Sequence, residues 1–363
     1  MKLLLYYCIV FLLLAGCKEA PPVGVDGNAA MEIYSVWDSV RQDLTTVSSP
    51  MKNAKVILTS EYGTFVKTTD DYGILSLSGL PSALYNISIR MPHPSDPSIL
   101  LVGSLREVPL ISGNTFSDTI LAKPISSSGI AINEVYACGP VNNIFFFFDQ
   151  FIELYNSSDS IKYLDGMQVM RVSGNSTGKG AGADEDDDGD IDGITYIFKF
   201  PGQPGEHNYP FYPKTFQVLA SDGINHKSTL SNSIDLSNAD WEFYNQFSAN
   251  DIDNPNVKNL INIRADRTVD FLIGLNDDIV VIASGVDTVW TDGIDISTII
   301  DGVEYQSGAT LNKTLDNRVD RGFALSPGKY SGKSLQRREP GGDTNDASLD
   351  WEIIPFPTPG YFK

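Results

Sequence analysis

The chain has 363 residues, 42 % of them aliphatic, aromatic or sulfur-bearing, enough apolar mass to bury cores and to exclude wholesale disorder. Its 26 Lys and Arg stand against 46 Asp and Glu, and the net charge of −20 argues against sequence-independent binding of nucleic acid or anionic lipid, both of which need clustered cations. Three Cys and three His exclude a disulfide framework and a Cys-rich zinc module, while 31 Gly, 20 Pro, 18 Phe and 16 Tyr lean towards strands and turns.

At the amino terminus, Met1-Lys2 is a minimal positive start and Leu3 to Leu14 an apolar run of 12 residues. A spanning helix needs about 20 residues, so the run suits the core of an export signal. It meets Leu14-Ala15-Gly16-Cys17, which resembles the lipobox of bacterial lipoprotein signal peptides. The resemblance implies cleavage of residues 1–16 and acylation of Cys17 on its thiol and its new amino group. Acyl chains contribute roughly 0.8 kcal/mol per buried methylene, so two or more anchor a chain stably in outer-membrane lipid. Residues 17–29, rich in Pro and Gly, follow as a flexible tether. Lys18-Glu19 resembles part of the surface-export signal of some Gram-negative lipoproteins, with a single acidic residue instead of several. The expected location is the outer membrane, facing the cell surface, with periplasm-facing attachment as the alternative.

Residues 30–124 predict the first β-rich domain. Val56-Ile57-Leu58-Thr59 reads as a strand, Tyr72-Gly73 as a turn, and Ile74 to Ser78 as an alternating strand. Tyr85, Ile87, Ile89 and Met91 alternate with polar residues, the pattern of a half-buried strand. The stretches Asn53 to Val56, Thr69 to Gly73 and Leu80 to Ile87 resemble the carboxypeptidase regulatory-like, prealbumin-like Ig sandwich, although Leu84 stands where that family has Gly. The resemblance implies a non-catalytic spacer or stability module.

Residues 130–363 predict a second β-rich domain. Ile130 to Val135, Phe151 to Asn156, Phe211 to Ala220, Asp270 to Asp278, Ser334 to Arg338 and Pro357 to Gly360 form an ordered series that resembles a lamin-tail domain, enlarged by insertions. Fold class is therefore all-β: two Ig-like β-sandwich domains in tandem, the second enlarged. Asn133, Glu134, Glu153 and Asn156 interrupt apolar strands, either to line a site or, more in keeping with a sandwich, to satisfy backbone donors. Phe145 to Phe148 would alternate faces of a strand, leaving two rings either as an exposed contact patch or beneath a second core layer. As a whole the chain resembles a family of uncharacterised Gram-negative outer-membrane lipoproteins.

One motif carries specific chemistry. Seven of the nine residues from Asp184 to Asp192 are acidic, and so many like charges repel unless a hard cation joins them. Asp184, Asp186 and Asp188 fall at positions 1, 3 and 5 of a calcium loop, with Gly189 at the sharp turn, the Asp190 carbonyl at 7 and Asp192 at 9. Thr195 stands at 12 in place of a bidentate Glu, and Ile194 to Phe200 reads as a strand, so the expectation is a weak Ca2+ loop between strands and not an EF-hand. The bland alternative is a solvated acidic loop.

Catalytic motifs fail on inspection. Gly178-Lys179 and Gly332-Lys333-Ser334 lack phosphate-loop spacing, and Gly174-Asn175-Ser176-Thr177-Gly178 runs into glycines instead of a helix. His93, His207 and His226 are isolated, and Cys138 reads as a small buried residue. The leading expectation is a non-catalytic binding or accessory lipoprotein, assisting an outer-membrane transporter or other surface protein in nutrient or metal-complex uptake, with no nucleic-acid partner. A structural or adhesive surface module is the alternative. A hydrolase assembled from the 220–330 insertions around Trp241, Tyr244 and Asp251 ranks third.

Overall fold

The computed structural model describes residues 27–40, 46–142, 144–158, 160–174, 179–309 and 312–363. The expected export signal, Cys17 and the tether up to residue 26 lie outside the described residues, as do residues 175–178 of the Gly-x-Ser-x-Gly string. The chain divides into two compact units, one of residues up to 91 with 101–123, the other of residues 92–100 with 124–363. Both are all-β. No helix among the described residues is long and apolar enough to cross a membrane.

In the first unit, strands Ala29–Val40, Lys55–Ser60, Ile74–Leu80 and Leu84–His93 belong to one eight-stranded sheet. Ala29 already pairs with Leu80 and is fully buried, so regular structure starts within the stretch expected as tether. Period-two alternation has a direct structural counterpart here: Tyr85, Ile87 and Ile89 enter the core while Leu84 and Asn86 stay exposed. The Tyr72-Gly73 turn is held by Asp70, whose Oδ1 accepts the backbone N–H groups of Tyr72 and Ile74 at 2.9 and 2.8 Å.

The second unit is built on two large sheets. Strands Phe216–Ala220, Phe151–Asn156, Ile130–Tyr136, Ser334–Arg337 and Trp351–Ile354 are consecutive neighbours in one. Ile194–Lys199, Gln168–Val172, Asp278–Ala283 and Ile299–Gln306 are consecutive neighbours in the other. Ile132, Ile152, Leu154 and Leu219 from the first sheet and Val169, Phe198, Val280 and Val303 from the second share one core, the arrangement of a sandwich. Further layers cover the outer faces. Ile191, Ile294, Leu315 and Val319 cover the outside of the second sheet, and Leu236 packs with Tyr136 and Phe151 on the first. That double burial explains why Ile130–Tyr136, Phe151–Asn156 and Asp278–Ala283 are buried at every position, the polar Asn133, Glu134, Glu153 and Asn156 included.

One expectation is corrected here. Phe145 to Phe148 form no strand: the segment is a loop with Phe145 at φ +59°, its backbone bonded by the Asn142 side chain. Phe271 to Gly274 runs as irregular chain, with Gln150 standing where a neighbouring strand would bond it. Its Oε1 accepts from Ile273 N at 2.9 Å and its Nε2 donates to Ile273 O at 2.9 Å.

Candidate metal centre

The acidic loop is tied down at both ends. Gly182 N donates to Asp192 O and Asp192 N to Ala183 O, both at 2.9 Å, and Ile191 is fully buried in the outer core layer. Between these ties the chain turns at Asp187 (φ +63°) and Gly189 (φ +104°), the latter a conformation that glycine adopts without strain. The tight path brings one carboxylate oxygen from each of Asp184, Asp186 and Asp188 within 4.8 Å of the others. Two oxygens each about 2.4 Å from a calcium ion lie at most about 4.8 Å apart, so the triplet has the right span for that cation.

Asp184 is the buried member. Its Oδ2 accepts from Gly189 N at 3.1 Å and from Arg318 Nη2 at 2.6 Å, and the Arg318 guanidinium holds the carboxyl below its ordinary range. Its Oδ1 is buried and accepts no hydrogen bond. An orphaned anionic oxygen beside two further carboxylates suits a hard cation, and the all-oxygen donor set suits calcium over a softer metal. Asp186 and Asp188 are exposed.

Asp190 and Asp192 stand outside the triplet. Asp190 pairs with Asp295 in a two-residue ladder, and burial together with Asp188, Asp287 and Asp295 raises its carboxyl to about 6. The Asp192 carboxylate accepts Glu185 N at 3.0 Å, and burial raises its pKa despite that bond. Thr195, at the place of the missing bidentate ligand, lies in strand Ile194–Lys199 with its hydroxyl 2.8 Å from that of Ser173. Sequence spacing could not reveal Arg318, which lies 134 residues from the carboxylate it bonds. Lys179 was equally silent, although its Nζ donates to Asp184 O at 2.8 Å and to Asp187 Oδ1 at 3.0 Å.

The polar residues inside the strands serve backbone donors. Glu134 accepts Thr358 N at 3.0 Å and Gln336 Nε2 at 3.0 Å. Glu153 accepts Asn133 Nδ2 at 3.0 Å and Gly360 N at 2.6 Å, so the two glutamates hold the Pro357-Thr358-Pro359-Gly360 segment. Asn156 donates to Phe211 O at 2.8 Å. None of the four lines an open site, since all are fully buried.

The remaining chemically interesting residues do not converge. Cys138 is buried and its Sγ donates to Lys333 O at 2.8 Å, while burial pushes the thiol pKa up, away from the nucleophilic thiolate. His226 is buried against the Phe146 ring, with its pKa lowered by desolvation, and the His207 ring lies 4.2 Å from that of Tyr163. Trp241 belongs to the main core and donates to Gln217 Oε1 at 2.9 Å. Asp251 accepts Asn245 N at 2.7 Å through one oxygen, and Tyr244 is half-buried nearby in sequence.

An all-β architecture of two units, with one acidic cation-type loop, is thus the class that fold and geometry define. The family model described as "Protein of unknown function (DUF4876)" matches residues 212–295. A crystal structure of a DUF4876 family protein from Bacteroides thetaiotaomicron VPI-5482 is similar in fold over 91 % of this chain and 96 % of that one, with a TM-score of 0.60 at 19 % identity. A "putative carbohydrate binding protein" from Bacteroides uniformis ATCC 8492 aligns over 40 % of this chain and 61 % of its own at 10 % identity, and its TM-score of 0.19 carries no structural kinship. No match was found among curated proteins.

Proposed function

We propose that the protein is a lipid-anchored, non-catalytic binding or accessory protein of the outer membrane, facing the cell surface from an acylated Cys17. Its 184–192 loop takes up Ca2+, and its partner is an outer-membrane transporter or other surface protein concerned with nutrient or metal-complex uptake. The tandem Ig-like and lamin-tail-like resemblances support a scaffold that displays loops, the usual carriers of binding on rigid sandwiches. The observation that carries the calcium assignment is the buried, unbonded Asp184 Oδ1 within the Asp184–Asp186–Asp188 triplet.

These residues would hold the ion through carboxylate oxygens, and the ion would neutralise their mutual repulsion and stiffen the loop. With no bidentate ligand at Thr195, affinity belongs to the range of about 10⁻⁴–10⁻³ M found in extracellular modules. Ca2+ at about 10 mM would then stabilise the fold by roughly 1.4–2.7 kcal/mol. Calorimetric titration of the mature chain should give a calcium heat that Asp186→Ala abolishes, with a matching loss of the calcium-dependent rise in Tm. Absence of both effects overturns the assignment. Incorporation of a labelled fatty acid that disappears in Cys17→Ala tests the anchor, and protease shaving of intact cells tests its orientation. Loss of growth on one nutrient in a deletion strain favours uptake; loss of cell adhesion alone favours the structural or adhesive alternative.

A further inference from the structure

Between residues 222 and 270 the fold gathers five acids that no base answers. Hydrogen bonds draw together the segments that carry Asp222, Glu242, Asp251, Asp253 and Asp270. Gly223 N donates to Glu242 Oε2 and Asn254 N to Glu242 Oε1, both at 2.8 Å, and Asn254 Nδ2 returns to Gly223 O at 2.5 Å. Asn245 N donates to Asp251 Oδ2 at 2.7 Å, Asn245 Nδ2 to Val269 O at 2.7 Å, and Ser248 Oγ to Asp270 Oδ1 at 2.6 Å. Among the described residues none of the five forms an ion pair. Lys258, Arg264 and Arg267 are the basic residues of chain 240–270, and all three are engaged elsewhere. Lys258 lies over the Trp241 ring at 5.1 Å, Arg267 over the Tyr196 ring at 5.6 Å, and Arg264 pairs with Asp266 at 2.5 Å.

Asp222 shows what is missing. The residue is only 8 % exposed, yet its carboxylate accepts no hydrogen bond; its backbone oxygen alone is used, by Ile224 N at 2.9 Å and by His226 Nε2 at 3.1 Å. Burial first, then Asp251, Asp270 and Glu242 in that order, push its pKa up to about 7, so three further acids stand close to it. Asp251 is in a similar position: its Oδ1 is buried and unbonded, with Asp270 the nearest of the charges that raise it. Glu242 lies in hydrogen-bond contact with the exposed Asp253, both of its own oxygens being already spent on backbone donors. Buried acids in folded chains have a partner, because an unpaired charge away from water is costly. Here the chain supplies none for Asp222.

We propose that this cluster binds a primary alkylammonium group, with the Asp222 carboxylate as its inner acceptor and Asp251 and Asp270 beside it. Charge selects a cation, since a neutral sugar or polyol would leave five acids unanswered. Geometry selects its kind. Among the described residues three acidic oxygens come within 4.8 Å of one another only in the 184–188 triplet, so no three carboxylates converge here to grip a bare metal ion. An ammonium needs no such cage, because each of its three N–H donors makes a separate charge-assisted bond. The slight exposure of Asp222 admits a slender alkyl chain ending in one nitrogen and disfavours the broad planar guanidinium. A free polyamine and the lysine side chain of another protein offer the same chemistry, and the test separates them. The site shares no residue with the calcium loop, so either assignment can fail without the other.

Calorimetric titration of the full chain with spermidine, and separately with Nα-acetyl-lysine amide, at about 0.15 M salt to screen exposed charges, reads the site. At least one of the two should bind saturably, and the tighter one names the source of the ammonium. Asp222→Asn and Asp251→Asn keep the side-chain shape and remove the charge, and each should weaken binding by at least about tenfold, the worth of one charge-assisted hydrogen bond. Asp71→Asn, an exposed acid of the first unit, and Asp186→Ala in the calcium loop should leave it unchanged. Circular dichroism verifies the fold of each variant, and Asp270→Asn takes the place of any that does not fold. Absence of binding by both amines overturns the proposal. Equal weakening by Asp71→Asn also overturns it, for binding would then be the general attraction of a chain with net charge −20. Calcium retained by Asp186→Ala and lost on adding Asp222→Asn would make the cluster a metal site and overturn it too.

Discussion

Glu153→Gln should flatten the dependence of stability on pH. Glu153 and Glu134 face one another as partners on adjacent strands, and both are fully buried. Burial first, then the charge of Glu134, pushes the Glu153 carboxyl up to about 9, while Glu134 is itself raised by burial. A carboxyl with a folded pKa above its ordinary 4.5 binds its proton more tightly in the native state. Its stabilising contribution is complete below about pH 4.5 and is lost as pH rises towards 9. By pH 7 about 2.5 units have been crossed at roughly 1.4 kcal/mol each, a loss of about 3 kcal/mol. Glutamine cannot titrate, but only one of its two terminal atoms accepts, whereas Glu153 receives both Asn133 Nδ2 and Gly360 N. One lost bond costs about 1 kcal/mol. The variant should therefore be less stable than the parent at acid pH and more stable by about 2 kcal/mol near neutrality, with the two curves crossing between. Urea unfolding between about pH 4 and 8 measures both, and the difference between the chains isolates this one group from other carboxyls that titrate in the same range. Parallel curves would refute the argument, for they would mean that Glu153 carries no proton that unfolding releases.

Arg337→Met should cost about 3–5 kcal/mol, because the buried guanidinium pairs with Asp301 at 2.8 Å and Asp350 at 3.2 Å and its removal leaves buried carboxylates uncompensated. A shift in denaturant midpoint equivalent to less than about 1 kcal/mol would show those acids already neutral. Phe271→Ala should cost about 3–5 kcal/mol, since the ring stacks on Phe243 at 3.9 Å and meets Phe198 edge-on at 5.5 Å in the main core. Thermal unfolding checks it, and an unchanged Tm would place the ring outside the cooperative unit.

Legibility in the sequence followed the range of the interaction. Strand Leu84–His93 was readable because its sheet buries one face there, so alternation survives in the primary structure. The 184–188 triplet was readable because all three carboxylates lie within five residues and the turn residue Gly189 follows them. The roles of Glu134 and Glu153 were only half visible. Their donors Thr358 and Gly360 lie 224 and 207 residues away, and no local pattern shows that the carboxy-terminal segment returns to these strands. The aromatic run misled for the opposite reason. Four consecutive Phe carry strand propensity, but the polar side chain of Asn142, three residues earlier, offers the backbone a competing set of bonds and wins.

The excess of acid has a structural use that composition alone conceals. The second unit has long irregular passages, whose buried N–H groups find no ladder partner and need acceptors from elsewhere. A carboxylate offers two oxygens and no donor, so it can close two such groups at once. Asp165 takes Asn208 N and Tyr209 N, Glu304 takes Thr314 N and Leu315 N, Glu242 takes Gly223 N and Asn254 N, and Asp278 takes Gly274 N and Ile279 N. Those four side chains belong to the fold and contribute little to an outward field. Net charge is then a poor guide to what any one surface can meet.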